Sequence, residues 1–345
     1  MQFIKPDINI NFIGIRKSAL ALSLILVVIS LVSLVIHKGP RYGVDFSGGL
    51  SIQVKFQDKV TVGDITKAIV PLGLEGASVQ RFGVPTDNEF QIRSSMSVMK
   101  EDLSDSLKTA LTQSTGVPVV DISVEMVGPQ ASKDLREKAL FAIFFALLLL
   151  EIYISGRFEL KWSLSALMAA AIGIPVYFIL QFDLGAGLTF VILLALVISL
   201  VFCWYLKLKY ALGAIVALVH DLIITMGIFS LLNIEITLQI VAALLTIIGY
   251  SLNDTIIVYD RIRENVAKNT KEPFPQVINK SINETLSRTT LTSLLTLLVV
   301  LALYVFGGSV IHHFAFAMLI GIIVGTYSSI YVASPILIDW DSKND

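Results

Sequence analysis

Residues 246–265 read TIIGYSLNDTIIVYDRIREN. The apolar run that leads into this stretch begins near Ile236, and with it the segment is long enough to cross a hydrocarbon core about 30 Å thick. Yet Gly249-Tyr250-Ser251-Leu252-Asn253-Asp254 is unusually polar for a spanning helix. A charged side chain at a helix centre costs roughly 2.5–3.5 kcal/mol on insertion scales, so such groups face a bundle interior or a water path and find partners there. The stretch therefore predicts a membrane helix that carries chemistry inside the bilayer.

The rest of the chain agrees. Of its 345 residues 55% are hydrophobic and 15% charged, where a soluble domain carries about 25% charge. The apolar residues sit in eight blocks, at about 18–36, 137–154, 163–181, 188–206, 211–232, 236–258, 289–306 and 314–335. The first follows Arg16 and Lys17, is too long for a signal-peptide core and lacks a small-x-small cleavage site, so it reads as a retained helix. Net charge is −1, which gives no footprint for nucleic acid. The single cysteine, Cys203, rules out an internal disulfide and reads as a small buried hydrophobe.

Lys and Arg in the short loops set the orientation. With the N-terminus cytoplasmic, the cytoplasmic connections hold Arg157, Lys161, Lys207, Lys209, Arg261, Arg263, Lys268, Lys271, Lys280 and Arg288. The opposite loops, 181–187, 233–237 and 306–310, hold no Lys or Arg. The bias predicts both termini in the cytoplasm and places the polar stretch between the first two spans outside, in the periplasm of a Gram-negative cell.

That polar stretch alternates rather than clusters. Strands are expected at 51–56, 77–82, 89–93 and 119–126, and helices at 61–72 and 99–113, with a turn at 83–88. The β-α-β-β-α-β order is that of a ferredoxin-like split unit, a fold that names no function. The fold class is thus an α-helical polytopic membrane protein of about eight transmembrane helices with a small α+β ferredoxin-like domain. Its parts are 1–36 (cytoplasmic N-terminus and first helix), 37–134 (exterior domain), 135–156 (second helix), 157–206 (a transmembrane hairpin), 207–338 (a four-helix core) and 339–345 (cytoplasmic tail).

The polar residues inside the spans are the candidate site. His220-Asp221 lies midway along 211–232, and Asn253-Asp254 in 236–258. Arg288 opens the span at 289–306, with Thr289, Thr290, Thr292, Ser293 and Thr296 close behind it. The last span holds Gly321 and Gly325, a small-xxx-small pair that permits close helix approach, and then Thr326, Ser328 and Ser329. By orientation Asp254 and Arg288 share the cytoplasmic half and are able to pair. A carboxyl whose Arg approaches and withdraws would load and release a proton. Static salt bridging, a snorkelling Arg288 and a packing role for His220 stay open at this level. Residues 161–180 and 209–228 share Lys-aromatic-x-Leu-x-Ala at a spacing of 48, with Ile172-Gly173 where the second copy has His220-Asp221; duplication and chance similarity both fit.

Enzyme signatures are missing: there is no His-Glu-x-x-His and no Gly-x-Ser-x-Gly. An Asp221/Asp254 intramembrane protease and a small-molecule efflux protein remain as alternatives. The Asp of the first lacks the glycines that admit a peptide, and the exterior domain is small for the second. No cofactor and no metal are expected.

Several motifs resemble one family. Residues 43–49 (GVDFSGG), 127–129 (VGP), 211–221 (ALGAIVALVHD), 246–265, 279–288 (NKSINETLSR) and 325–329 (GTYSS) are similar, in order, to motifs of the SecF family within the resistance-nodulation-division superfamily. The resemblance covers nearly the whole chain except about 157–206. It implies a bacterial inner-membrane subunit that works with SecD beside the SecYEG channel, SecA and possibly YajC. Such a subunit uses the proton motive force to draw exported preproteins outward. It also implies proton flow through Asp254 and Arg288, near which His220, Asp221 and Asn253 are further relay candidates. Gly43, Asp45, Gly48, Gly49, Gly128 and Pro129 would form the hinge of the exterior domain. The family has six spans, so the pair at 157–206 is a departure from it.

Overall fold

The computed structural model of the chain describes residues 8–82, 88–94, 103–181, 188–268 and 272–341. The expected turn at 83–88 and the start of the helix expected at 99–113 fall mostly outside these residues, as do the extreme ends of the segments 1–36 and 339–345.

Helix α1 (Arg16–Ile36) leads into a short turn of helix, α2 (Val44–Ser47), and then into the sheet domain. Its elements are β1 (Gly49–Phe56), α3 (Val62–Ile69, extended by a 3-10 turn to Leu72), β2 (Ser78–Phe82), β3 (Glu89–Ser94), α4 (Leu103–Thr115) and β4 (Val119–Val127). Thr61 caps α3 by accepting the Asp64 N–H, as a β-region hydroxyl residue at that place should. The four strands form one antiparallel sheet in the order β2-β3-β1-β4. Alternation drives it: Leu50, Ile52, Val54 and Phe56 of β1 are buried against Ile65, Ile69, Leu107 and Leu111 of the two helices.

The chain returns to the helical layer through Gly128, extended at the N-cap, and Pro129 at the first position of α5 (Pro129–Glu159), where a missing N–H costs nothing. There follow α6 (Trp162–Gln181), α7 (Leu188–Tyr205), α8 (Lys209–Leu231), α9 (Leu238–Lys268), α10 (Phe274–Phe306) and α11 (Gly308–Ser328). A π-helical turn, Ser329–Ala333, joins α11 to α12 (Ser334–Asp341).

Among the described residues, six helices are long and apolar enough to cross a membrane: α1, α5, α8, α9, α10 and the run Ile311–Trp340. The eight blocks expected from the sequence thus reduce to six by this measure. The two helices of the 157–206 hairpin offer shorter apolar stretches, Trp162–Phe178 and Phe190–Tyr205. Two helices also run further than expected. The loop expected between 258 and 289 is largely helix, because the ends of α9 and α10 continue as a charged hairpin held by Arg261–Glu284 and Asn265–Glu284 contacts of 2.6 and 2.7 Å.

Close packing follows the glycines. A Cβ on Gly321 would run into Ile247, and one on Gly325 into Ser251, so α11 lies tight against α9. Likewise a Cβ on Gly227 would meet Ser30, which seats α1 on α8, where Ser33 and Ser230 hydroxyls also stand 2.8 Å apart. The small-xxx-small reading of Gly321 and Gly325 describes what the structure does.

Candidate functional site

Two buried carboxyls lie between α8, α9, α10 and α11. Asp221 on α8 is fully buried. Its Oδ2 accepts from Ser251 Oγ of α9 at 2.6 Å and from Ser328 Oγ of α11 at 2.8 Å. Its Oδ1 stands 2.9 Å from Nδ1 of the adjacent His220. The His220 ring stacks on Tyr327 at 6.4 Å between centroids, and its Nε2 is buried without a hydrogen-bond partner among the described residues. Tyr327 in turn donates to the Ala19 carbonyl of α1 at 2.6 Å.

Asp254 on α9 is the second carboxyl, and it is 1% exposed. Oδ2 accepts from Ser293 Oγ of α10 at 3.1 Å and from Thr326 Oγ1 of α11 at 3.3 Å, and these two hydroxyls lie 2.8 Å from each other. No cation contacts Asp254 among the described residues. Two further hydroxyls, of Tyr250 and Thr289, are buried with no hydrogen-bond partner among the described residues. Tyr250 is one helical turn from Asp254 on α9, and Thr289 one turn from Ser293 on α10, about 6 Å along each axis. Because α9 and α10 run oppositely, Tyr250 and Thr289 fall on opposite sides of the Asp254 level along the helix axes. The two carboxyl clusters also share elements: α9 supplies Ser251 to one and Asp254 to the other, α11 Ser328 and Thr326.

The structure does not join Arg288 to Asp254. Arg288 lies on the exposed face of α10, and its guanidinium makes no hydrogen bond or ion pair among the described residues. The reason is helical phase. Ser293, which faces Asp254, is five residues on, and at 3.6 residues per turn that is about 140° around the helix. Asn253 is likewise exposed, one residue off the buried face that holds Asp254. The expected Asp254–Arg288 contact is therefore not a feature of the isolated chain, whereas His220 and Asp221 do form a contact pair. Asp221 and Asp254 each keep their own hydroxyls and share none.

At the sheet-domain end of the helices, the expected hinge residues form a clamp onto the α8–α9 loop. Gly43 N donates to Ile236 O at 2.9 Å, and Ile236 N to Arg41 O at 2.7 Å. Asp45 Oδ2 accepts the Leu238 N–H at 2.8 Å and so caps the first residue of α9. Gly48 and Gly49 hold φ of 72° and 113°, the left-handed side of the map that glycine alone takes without strain. Gly48 packs against Pro129 and Ser132, next to Gly128. Arg41 and Arg93 both reach Glu235 of the same loop, Arg41 at 3.3 Å.

One buried carboxyl escapes the sequence reading. Glu151, two turns from the C-terminal end of α5, is 1% exposed. It accepts from Ser199 Oγ and Cys203 Sγ of α7, each at 2.6 Å. The signal was present: a lone glutamate after four leucines, in a block read as uniformly apolar. Cys203 is buried as expected, but as a hydrogen-bond donor rather than a bland filler. No group of three or more His, Cys, Asp or Glu placed to hold a metal exists among the described residues.

Comparison with known proteins agrees with this architecture. The model of the family "Protein export membrane protein SecD/SecF, C-terminal" matches residues 106–185 and 183–343, and that of the "SecD/SecF GG Motif" matches 33–60. The protein translocase subunit SecF of Magnetococcus marinus is 40% identical, over 99% of this chain and 95% of that protein. SecF of Vibrio alginolyticus is 38% identical over 96% and 90%. The crystal structure of SecDF, a translocon-associated membrane protein from Thermus thermophilus, superposes with a TM-score of 0.71 at 30% identity over 99% of this chain. A SecDF structure in a super-membrane-facing form gives a TM-score of 0.57 at 29% identity over the whole chain. The chain spans 40% of each SecDF chain. With buried carboxyls among its apolar helices, a four-stranded antiparallel sheet and these relatives along its length, the chain belongs to the SecF family of protein translocase subunits.

Proposed function

We propose that this chain, paired with SecD, uses the proton motive force to promote the export of preproteins through the SecYEG channel, beside SecA and YajC, in the bacterial inner membrane. The observation that carries the reading is Asp254. It is a buried carboxyl held by two hydroxyls, Ser293 and Thr326, with no cation beside it among the described residues. Such a group exchanges a proton more readily than one locked to a guanidinium, because no ion pair is broken. The unpartnered hydroxyls of Tyr250 and Thr289 extend the polar file on both sides of it. Asp221 with His220 is a second protonatable pair one layer away, and Asn253 edges the same passage. Arg288 acts from the outer face of α10, one of the least buried spans, the surface we assign to SecD.

The lysine and arginine bias puts the sheet domain in the periplasm and the N- and C-terminal segments in the cytoplasm. We read the sheet domain as ferredoxin-like on its strand order. Gly43, Asp45, Gly48, Gly49, Gly128 and Pro129 are its hinge. The hairpin α6–α7 crosses the membrane as an added pair, making eight spans. Duplication accounts for it: the two matches of one family model meet between α6 and α7, and each contains one copy of the Lys-aromatic-x-Leu-x-Ala pattern.

Asp254→Asn tests the central claim. The variant should assemble with SecD and lose export stimulation by the proton gradient. Gradient-dependent export at the unmodified rate in that variant would sink the assignment.

A further inference from the structure

Glu151 is one member of a longer polar seam. Glu151, Ser155 and Glu159 stand four residues apart on α5 and so share one face of the helix, about 12 Å from first to last. Neighbouring helices add polar groups to this face. Ser199 Oγ and Cys203 Sγ of α7 donate to Glu151, and Ser165 Oγ of α6 donates to Ser155 Oγ at 2.6 Å. The Tyr210 N–H of α8 donates to Glu159 Oε1 at 3.0 Å. Glu151, Ser155, Ser165, Ser199 and Cys203 are each at most 1% exposed. Glu159 is half-buried at the end of α5, within interaction range of Ser155, Lys161 and Lys209. Its Oε2 is buried with no hydrogen-bond partner among the described residues. In the other direction the seam stops. Toward the sheet domain α5 continues with Leu147 and Phe144, α6 with Met168 and Ile172, and α7 with Ala195 and Ile192, all buried and apolar.

We propose that Glu151 is a proton-binding site, distinct from Asp254, that loads from the end of α5 away from the sheet domain through Glu159 and Ser155. That end is cytoplasmic on the orientation proposed above; only the side of the membrane rests on that reading. A polar seam with one open end binds a proton but does not conduct one, which separates it from a relay. The orphaned Glu159 Oε2 is the entry point, an acceptor at the mouth with room in its bonding for a proton. At the blind end, the side chains that act on Glu151 are Cys203 and Ser199, both neutral donors. The other titratable groups facing the seam gather at Glu159: Lys161 ahead of α6, Lys209 and Tyr210 of α8, and Tyr259 of α9. An ionised carboxyl among apolar helices is costly, and at Glu151 a proton is what removes that cost. Hydrogen bonds to a carboxylate are about twice as strong as those to a neutral group. Loading Glu151 therefore relaxes the hold of α7 on α5, and the seating of the α6–α7 hairpin follows the pH at the open end.

Cys203 supplies the readout, as the sole cysteine of the chain. Its S–H stretch falls in an infrared window clear of other protein bands and rises in frequency as its hydrogen bond weakens. The sample is the full chain assembled with a cysteine-free SecD in membranes. Acidification should raise the S–H frequency in the parent and in Asp254→Asn alike. Glu151→Gln, which keeps an acceptor, should remove the pH response. After a pH jump, Glu159→Gln should reach the same final band several-fold more slowly. A band indifferent to pH in the parent, a response that survives in Glu151→Gln, a response lost in Asp254→Asn, or an unchanged rate in Glu159→Gln would overturn the inference. The first of these needs no variant to fold. An inverted orientation shows separately, as cleavage of the sheet domain by a protease added at the cytoplasmic face.

Discussion

A Glu151→Leu substitution removes the acceptor for two donors at once. Ser199 and Cys203 of α7 both end on this carboxyl at 2.6 Å, so the change tests what holds the α6–α7 hairpin to α5. Side-chain hydrogen bonds within membranes average about 0.6 kcal/mol and reach about 1.7. Two of them put the expected cost at roughly 1–3 kcal/mol. Leucine has a similar volume, so little of this is cavity. Ser199 is able to turn to the carbonyl four residues back in its own helix, which draws the value toward the lower end. The chain carries its own reporter, because Cys203 is the sole cysteine and is fully buried. With reclosing faster than modification, the rate of maleimide labelling follows the opening equilibrium. A cost of 1–3 kcal/mol then appears as about 5- to 150-fold faster labelling. The intrinsic thiol rate, which a nearby carboxyl alters, is measured on denatured protein and divided out. Glu151→Gln keeps an acceptor and should label much more slowly than the leucine variant. Labelling of Glu151→Leu at the unmodified rate, or equal rates for Gln and Leu, would refute the reasoning.

Three other outcomes follow from the packing and the caps. Asp254→Asn should leave the complex intact and remove gradient-dependent export, read in membrane vesicles with and without an uncoupler. Asp45→Ala takes the cap from α9 and should cost about 0.5–2 kcal/mol, seen as a lower thermal midpoint of the purified complex. Asp45→Asn should keep most of that stability, and an alanine variant as stable as the parent would contradict the cap. Gly325→Leu drives a side chain into Ser251, whose hydroxyl holds Asp221. It should cost roughly 1–3 kcal/mol by overpacking and raise protease sensitivity, with Gly325→Ala milder.

Much of this molecule is written in its apolar periodicity. Uninterrupted runs fix the spans, and alternation in Gly49–Phe56 fixes a strand with one face buried. The reversal at Gly48-Gly49 was readable because positive φ selects glycine. What the sequence left open was rotation. Asp254 and Arg288 share a membrane half, but depth says nothing about which way each helix turns its side chains. The register of α10 follows from Thr289 and Ser293 facing inward, and that places Arg288 outside. Ser251, Ser293, Thr326 and Ser328 were visible as polar residues, yet their division between two carboxyls depends on how α9 meets α11. Glu151 was overlooked because its donors lie 48 and 52 residues away, in a hairpin with no obvious polar motif.

The cap at Asp45 has a mechanical consequence. Helix α9 is one unbroken rod of 31 residues, roughly 46 Å long at 1.5 Å per residue. Its outer tip is gripped by the strap from Gly43 to Asp45, and Asp254 sits 16 residues in, about 24 Å down the same axis. Its inner end is pinned to α10 through Arg261 and Asn265. The sheet domain is tied to the helices through α1, through α5 and through this strap, and of the three the strap leads straight along α9 to the carboxyl. Conversely, any shift of α9 that accompanies protonation of Asp254 moves the strap first and reaches the sheet through Gly48 and Gly49.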